Sequence, residues 1–401
     1  MVRLGQAGRE GCLRVGFGVM DDRSYLGLDA DQRALLGLVG EIAEREVAPH
    51  AAEWERSATF PRPAFEALGK AGLLGLVYPV EYGGAAQPAW VYVMVLEELS
   101  RALLSVGLGV SVQTLTIFPA FAYGTQEQRG QWMPPACAGE WIGSYCLSEP
   151  ASGSDAASLR TRAARTGDGW VLNGTKAWVT HGGESDYYVV FARTDGEGAK
   201  GVSCFFVPAR TPGVERASLE RKMGMASSPT AQIVFDDAHV PPDHLIGREG
   251  EGFAIAMAAL DGGRLGIAAC SVGLAQAALD AAIAFARERE QFGRPVGSFQ
   301  GVQFMLADMS TSVDAARALV HDAALRRDAG DPGAGVAAAK AKLFASDAAM
   351  RVTTDAVQVH GGYGYVEEFP AERYMREAKV LQIVEGTNQI QRMVIGRAIT
   401  R

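Results

Sequence analysis

The run Ile383-Val-Glu385-Gly-Thr-Asn-Gln-Ile-Gln-Arg392 places a carboxylate behind Leu381, Ile383 and Val384 and ahead of a glycine. A carboxyl group in so apolar a setting has a raised pKa, the condition for a general base working near neutrality. A glutamate at the start of a helix explains the same pattern. Upstream, Gln358-Val-His-Gly-Gly-Tyr-Gly364 carries three glycines that would each cost a helix about 1 kcal/mol, so a close backbone approach is the alternative to a plain helix end. In Tyr145-Cys-Leu-Ser-Glu-Pro-Ala-Ser-Gly-Ser-Asp155, hydroxyls, acidic side chains and Gly153 meet at one turn. Its backbone amides could bind an anion or a polar ring edge, although an ordinary capped turn accounts for the same residues. Lys176-Ala-Trp-Val-Thr180-His-Gly-Gly183 sets an indole two residues from a hydroxyl on a strand that stops at glycines. Trp178 is either a core residue or a platform for a flat cofactor.

These segments must be held by elements that the hydrophobic period marks out. From Asp29 to about Leu104, residues such as Leu35, Leu38, Val39, Ile42 and Val47, then Phe65, Leu68 and Leu73, recur at helical spacing, with Asp29 or Asp31 as a cap and a Pro79–Gly84 loop before the next helix. Between Gly143 and Gly247 the period falls to two in short β-branched or aromatic runs, which predicts an antiparallel β unit with a tight turn at Asn173-Gly174. After Gly252 the helical period returns: three long helices around Phe253–Arg289, Val302–Ala323 and Val336–Val357, and a shorter one near Asn388–Ala398, predict a bundle.

Composition narrows the function classes. The chain has 401 residues, 48% of them hydrophobic, and a net charge of −8, so more than one core is expected and no concentration of positive charge suggests a nucleic-acid partner. No apolar run is expected to reach the roughly 18 to 20 residues of a membrane span. Cys12, Cys137, Cys146, Cys204 and Cys270 are odd in number and lack a Cys-x-x-Cys pair, which points to a reducing compartment and away from disulfides or zinc. The histidines form no metal set, and His239 and His244 read as surface residues flanking a proline turn. No strand–Gly-x-Gly-x-x-Gly–helix unit is present to hold a nicotinamide dinucleotide. The 48 glycines exceed the roughly 7% that is typical.

Taken together, the motifs resemble the acyl-CoA dehydrogenase family from about Leu26 to Ile399. Both long signatures are present, Cys146–Asp155 and Gln358–Arg376 leading into Glu385-Gly386-Thr387. Pro79–Gly84, Gly124–Arg129, Trp178-Val-Thr180, Asp261-Gly-Gly-Arg264, Arg289–Gly293 and Gln300-x-x-Gln303-Phe304 agree as well. The resemblance implies an α+β protein: a leader over 1–22, an N-terminal α-helical domain over 23–142, a middle antiparallel β-barrel or sandwich over 143–249 and a C-terminal four-helix bundle over 250–401.

It also implies non-covalent FAD and removal of two hydrogens across Cα and Cβ of an acyl-CoA thioester. Glu385 would take the α-proton, and flavin N5 the β-hydride. The Glu385 amide and a flavin ribityl hydroxyl would hold the thioester oxygen. In a few members the base sits at the position of Gly263, which cannot act here; Asp261 is a weak alternative. By the same resemblance, Leu147, Ser148, Gly153, Ser154, Trp178, Thr180, Thr387 and Gln389 contact the flavin. Arg289, Gln291, Phe292, Gln358, Gly361 and Gly362 reach the cofactor of a neighbouring subunit, so a homotetramer is implied. Ser154, Asp261, Arg264 and Gly386 fall at substrate positions, and His181 departs from the usual Asn or Ser. Motif detail leans to short-chain and branched short-chain, isobutyryl-type members. An electron-transferring flavoprotein is the implied oxidant, and the cytoplasm, or the mitochondrial matrix in a eukaryote, the implied location. An oxygen-using oxidase or monooxygenase of the same fold and a non-catalytic flavin-binding scaffold are the alternatives.

Overall fold

The computed structural model describes residues 27–400; the leader expected over residues 1–22 and Cys12 lie outside them. Six helices come first: α1 (Ala30–Ile42), α2 (Ala51–Ser57), α3 (Arg62–Lys70), α4 (Ala89–Ala102), α5 (Leu104–Tyr123) and α6 (Gln126–Cys137). Asp29 caps α1, its carboxylate accepting from the Gln32 amide at 2.8 Å while Gln32 Oε1 accepts from the Asp29 amide at 3.2 Å. The exchange satisfies two first-turn donors that the helix itself cannot. Thr125 and Gln128 repeat it at α6.

Eight strands follow: β1 (Gly143–Cys146), β2 (Arg162–Arg165), β3 (Trp170–Thr180), β4 (Tyr187–Arg193), β5 (Val202–Pro208), β6 (Val214–Leu219), β7 (Thr230–Val240) and β8 (Leu245–Ile246). They form one sheet in the order β6-β7-β3-β2-β4-β5-β8, with β1 against β4. The expectation of a wholly antiparallel unit is corrected, because β1 and β2 both run parallel to β4. Ile142 and Asp186 are tied by hydrogen bonds of 2.7 and 2.8 Å, so β1 and β4 enter the sheet from one point, and the intervening chain is long enough for a parallel crossover. Trp170, Val190, Phe205, Ile233 and Phe235 share one buried core, so the sheet curls around its own apolar face. The tight turn expected at Asn173-Gly174 is also corrected: both residues lie inside β3. Gly174 marks a register shift against β7 at φ +150°, where a Cβ would press on Thr161.

The last third holds α7 (Gly252–Glu288), a ribbon of β9 (Glu290–Gln291) and β10 (Arg294–Pro295), then α8 (Gln300–Asp328), α9 (Ala334–His360), α10 (Ala371–Leu381) and α11 (Asn388–Ile399). The four-helix expectation thus gains a fifth member, α10, which packs on both α7 and α9. α7 runs through the middle of the molecule against α4, α5, α8 and α9. Small residues permit this: a Cβ on Gly273 would overlap the Glu97 carbonyl of α4, so the two backbones touch. Arg317 of α8 ties the crossing from outside, donating to Glu97 at 3.0 Å and to Gln276 at 2.7 Å. Contrary to expectation, α5 and α7 do have the length and hydropathy of membrane spans; their apolar windows are 83% and 78% buried within the protein.

Candidate active site

A cavity of about 320 Å³ opens between α4, α5 and α7. Tyr78, Tyr92, Ser111, Leu115 and Phe118 line it, and Gly263 of α7 forms part of its wall. Glu385 comes to that wall from the turn between α10 and α11. Its backbone has φ +53° and that of Gly386 +95°. A Cβ on Gly263 would overlap Glu385 Oε2, so the carboxylate occupies the space that a side chain at 263 would take. That oxygen is buried and has no hydrogen-bond partner. Burial raises the Glu385 carboxyl to about 7, against the opposing pull of the Lys342 ammonium and then the Arg264 guanidinium. Among the described residues the Glu385 N–H donates to no acceptor.

Arg264, buried on α7, donates to Asp261 at 2.6 Å, while the Asp261 side chain is half exposed. Gly386 gives its carbonyl to two donors, Lys342 Nζ and Gln391 Nε2, each at 2.9 Å. Thr387 caps α11, its hydroxyl accepting from the Ile390 amide at 3.3 Å, and Gln389 is exposed beside it.

The rim supplied by the sheet is built differently. Trp178 sits at a register shift of β3 with φ +60° and 63% of its surface exposed. A bulky residue in that conformation is a steric outlier, tolerated when the surroundings impose it. The core reading of Trp178 is therefore excluded, and the ring is free to stack. Thr180 is half-buried, its carbonyl accepting from Ser144 Oγ at 2.6 Å. Leu147 is buried, Ser148 half-buried, and Gly153 and Ser154 are exposed. A buried ion pair holds this turn down: Lys176 Nζ reaches Glu149 at 2.8 Å and the Leu147 carbonyl at 3.2 Å, and Glu149 also accepts from the Arg160 and Thr161 amides. Burial would raise the Glu149 carboxyl, but Lys176 outweighs it and holds the group low.

His181 does not face solvent. Its Nδ1 lies 3.1 Å from the Gly143 carbonyl, its ring meets Phe60 and Phe65 edge-on, and burial pushes its pKa down to about 4. It is a neutral joint between α3 and β1. His244 also departs from the surface reading, packing edge-on against Trp132 and Phe206.

A second group of expected site residues stands elsewhere. Arg289 lies at the end of α7 with its guanidinium 5.2 Å from the Tyr363 ring centre; Gln291 is exposed, and Phe292 is 94% exposed. Gln358, Gly361 and Gly362 are exposed at the end of α9. α7 is continuous from Gly263 to its end, so Arg289 is roughly 26 residues and about 39 Å along the axis from Glu385's neighbour Gly263. One chain does not bring the two groups together.

Sequence reasoning missed Lys342, Tyr92, Gln391 and the Glu149–Lys176 pair. The readable signal was a lysine in a buried phase: Lys342 falls on the face of Ala338, Ala345 and Ala349, and Lys176 on the inward phase of β3.

Family models of the acyl-CoA dehydrogenase N-terminal, middle and C-terminal domains match residues 29–140, 144–238 and 250–400. The probable acyl-CoA dehydrogenase FadE25 of Mycobacterium tuberculosis is 48% identical over 361 residues, 90% of this chain and 93% of that one. The mitochondrial isobutyryl-CoA dehydrogenase of Dictyostelium discoideum is 40% identical over 389 residues, covering 97% and 93%. Among solved structures, butyryl-CoA dehydrogenase from Megasphaera elsdenii superposes with a TM-score of 0.91 at 40% identity, over 93% of this chain and 99% of that one. Fold and sequence thus define one class of flavoprotein oxidoreductase. The chain belongs to the acyl-CoA dehydrogenase family.

Proposed function

We propose that the protein oxidises a short or branched short acyl-CoA thioester to its trans-2-enoyl product, with Glu385 taking the α-proton. The observation that carries this reading is the Glu385 carboxylate, buried without a hydrogen-bond partner at the wall of a cavity and poised at about 7. An acceptor oxygen with no competing donor is free for a proton, and a base with this affinity balances availability against driving force at neutral pH. The unused Glu385 N–H is the donor for the thioester oxygen, stabilising the charge that develops there as the α-carbon loses its proton. Gly386 keeps the approach clear. Arg264 and Asp261 lie along the route of the CoA arm. The cavity is at the small end of ligand sites, which run from about 300 to 1,000 Å³, and its lining, aromatic and aliphatic groups together with Ser111, Thr114, Gln87, Arg327 and Asp328, has room for a short acyl group.

The exposed Trp178 ring, the fixed Thr180 and the open Ser148–Ser154 rim fit a flat anionic cofactor, and FAD is our assignment. When bound, FAD supplies the acceptor for the hydride that leaves Cβ. Arg289, Gln291, Phe292, Gln358, Gly361 and Gly362 serve the site of a neighbouring copy, since within one chain they stand far from Glu385; a homotetramer with an electron-transferring flavoprotein as oxidant completes the proposal. Anaerobic titration with straight, branched and aromatic acyl-CoAs tests it. Short or branched thioesters should bleach the flavin, and Glu385→Gln should retain flavin and lose at least about 100-fold in rate. A fully active Glu385→Gln refutes the assigned base, and stoichiometric peroxide in air would favour an oxidase.

A further inference from the structure

Lys342 is fully buried on α9. Its ammonium donates to the Gly386 carbonyl and to Asn388 Oδ1, both at 2.9 Å, so both acceptors are neutral and both belong to the turn that carries Glu385. Among the described residues no carboxylate lies within ion-pair distance of Nζ. Asp347, on the next turn of α9, is taken up by Asn388 at 2.7 Å, Gln382 at 2.7 Å and Arg392 at 3.1 Å. Burying an ammonium on neutral partners is expensive, and an apolar side chain on this alanine-rich face would fit more cheaply. Burial depresses the lysine to about 8, and the nearby Glu385 charge is the first influence that opposes the fall.

We propose that Lys342 is a positioning residue for the base: it fixes the Glu385–Gly386 turn through the Gly386 carbonyl and supplies the positive field that keeps the Glu385 carboxylate ionised. The proposal rests on the reading of Glu385 as base. The other groups facing that carboxylate are Arg264 and Cys270 on α7, Tyr92 on α4 and Tyr145 on β1. Of these only Arg264 is cationic, and it is already shared with Asp261. Gln391 duplicates the bond to the Gly386 carbonyl but brings no charge. Position is therefore held twice, and the field of Lys342 once.

Three holoenzyme variants separate charge from stapling. Lys342→Met removes charge and donors and preserves bulk, Lys342→Gln keeps a donor without charge, and Lys342→Arg keeps the charge. The acidic limb of kcat/KM should move up by about one pH unit in the Met and Gln variants, the scale of a lost opposite charge at short range. Below the limb this reads as a loss of about 10-fold at fixed pH. The Arg variant should stay near wild type. The Glu385 carboxyl band, followed by infrared difference titration of substrate-free holoenzyme against Glu385→Gln, should move with the limb. An unmoved limb and band in the Met and Gln variants, with only a uniform fall in kcat, overturns the charge role and leaves Lys342 a staple. If Lys342→Gln does not fold, Lys342→Met decides. A limb that persists in Glu385→Gln overturns the base assignment and this proposal with it; a limb lost there but unmoved in the lysine variants overturns this proposal alone.

Discussion

Gly263→Ala separates stability from catalysis at one atom. Position 263 lies inside α7 with ordinary helical backbone, so alanine costs nothing in conformation and gains up to about 1 kcal/mol of helix propensity. The three atoms nearest the new methyl all belong to the carboxylate end of Glu385. That end can swing away, so folding should be unchanged or slightly firmer. Catalysis should suffer, because a displacement near 1 Å at a reacting group costs about 100-fold. The methyl also excludes water from the carboxylate, which should raise its pKa further above about 7 and push the acidic limb of the rate profile upward. The assay pairs thermal unfolding of the holoenzyme with kcat/KM across pH on one short acyl-CoA. Full stability with a rate at least about 30-fold down is the expected outcome. A variant within threefold of wild type, with its limb unmoved, would show that Glu385 Oε2 has no need of the space above Gly263 and would refute the reasoning.

Other consequences can be checked in the same preparations. Glu377 is buried with neither oxygen hydrogen-bonded, Arg373 Nε standing 3.8 Å from Oε1, and burial raises its carboxyl to about 8 against the pull of Arg373. The unfolded chain releases this proton near 4.5 and the folded one near 8, so stability falls as pH rises between them. Glu377→Gln should match wild type below pH 5 and exceed it by a few kcal/mol at pH 9, as read by urea unfolding at both; equal slopes with pH would contradict this. Lys176→Met strands Glu149 beneath the sheet rim and should cost about 3–5 kcal/mol, measured by the denaturation midpoint. Gly273→Ala forces α7 away from the Glu97 carbonyl and should destabilise by about 1–3 kcal/mol, against the direction of helix propensity; a stabilised variant would mean that the crossing is looser than described.

The periodic signals were readable because a helix face and a strand face are local properties of the chain. The capped start at Asp29, the long helices after Gly252 and the strand-rich middle all follow from spacing alone. α10 escaped because Ala371–Leu381 is short, charged and mostly polar in composition, so its five buried positions stand out only when α7 and α9 lie against it. The turn read at Asn173-Gly174 became a bulge because pairing with β7 outweighed the local preference. The Glu149–Lys176 pair joins residues on opposite sides of a chain reversal, and no spacing rule connects them.

For the site, the order of motifs already determined the family, and with it the carboxylate and the glycine beside it, since these are recorded as residue types along one line. What only the tertiary structure decided is which groups face one another. Glu385 and Gly263 are 122 residues apart in sequence yet meet at one wall. Lys342, silent in the sequence, holds the carbonyl of the residue that follows that carboxylate, while Arg289 stands a helix length away from it. The physical reason is that pKa, reach and field depend on distance and burial, which a chain acquires only when its helices and sheet close on each other.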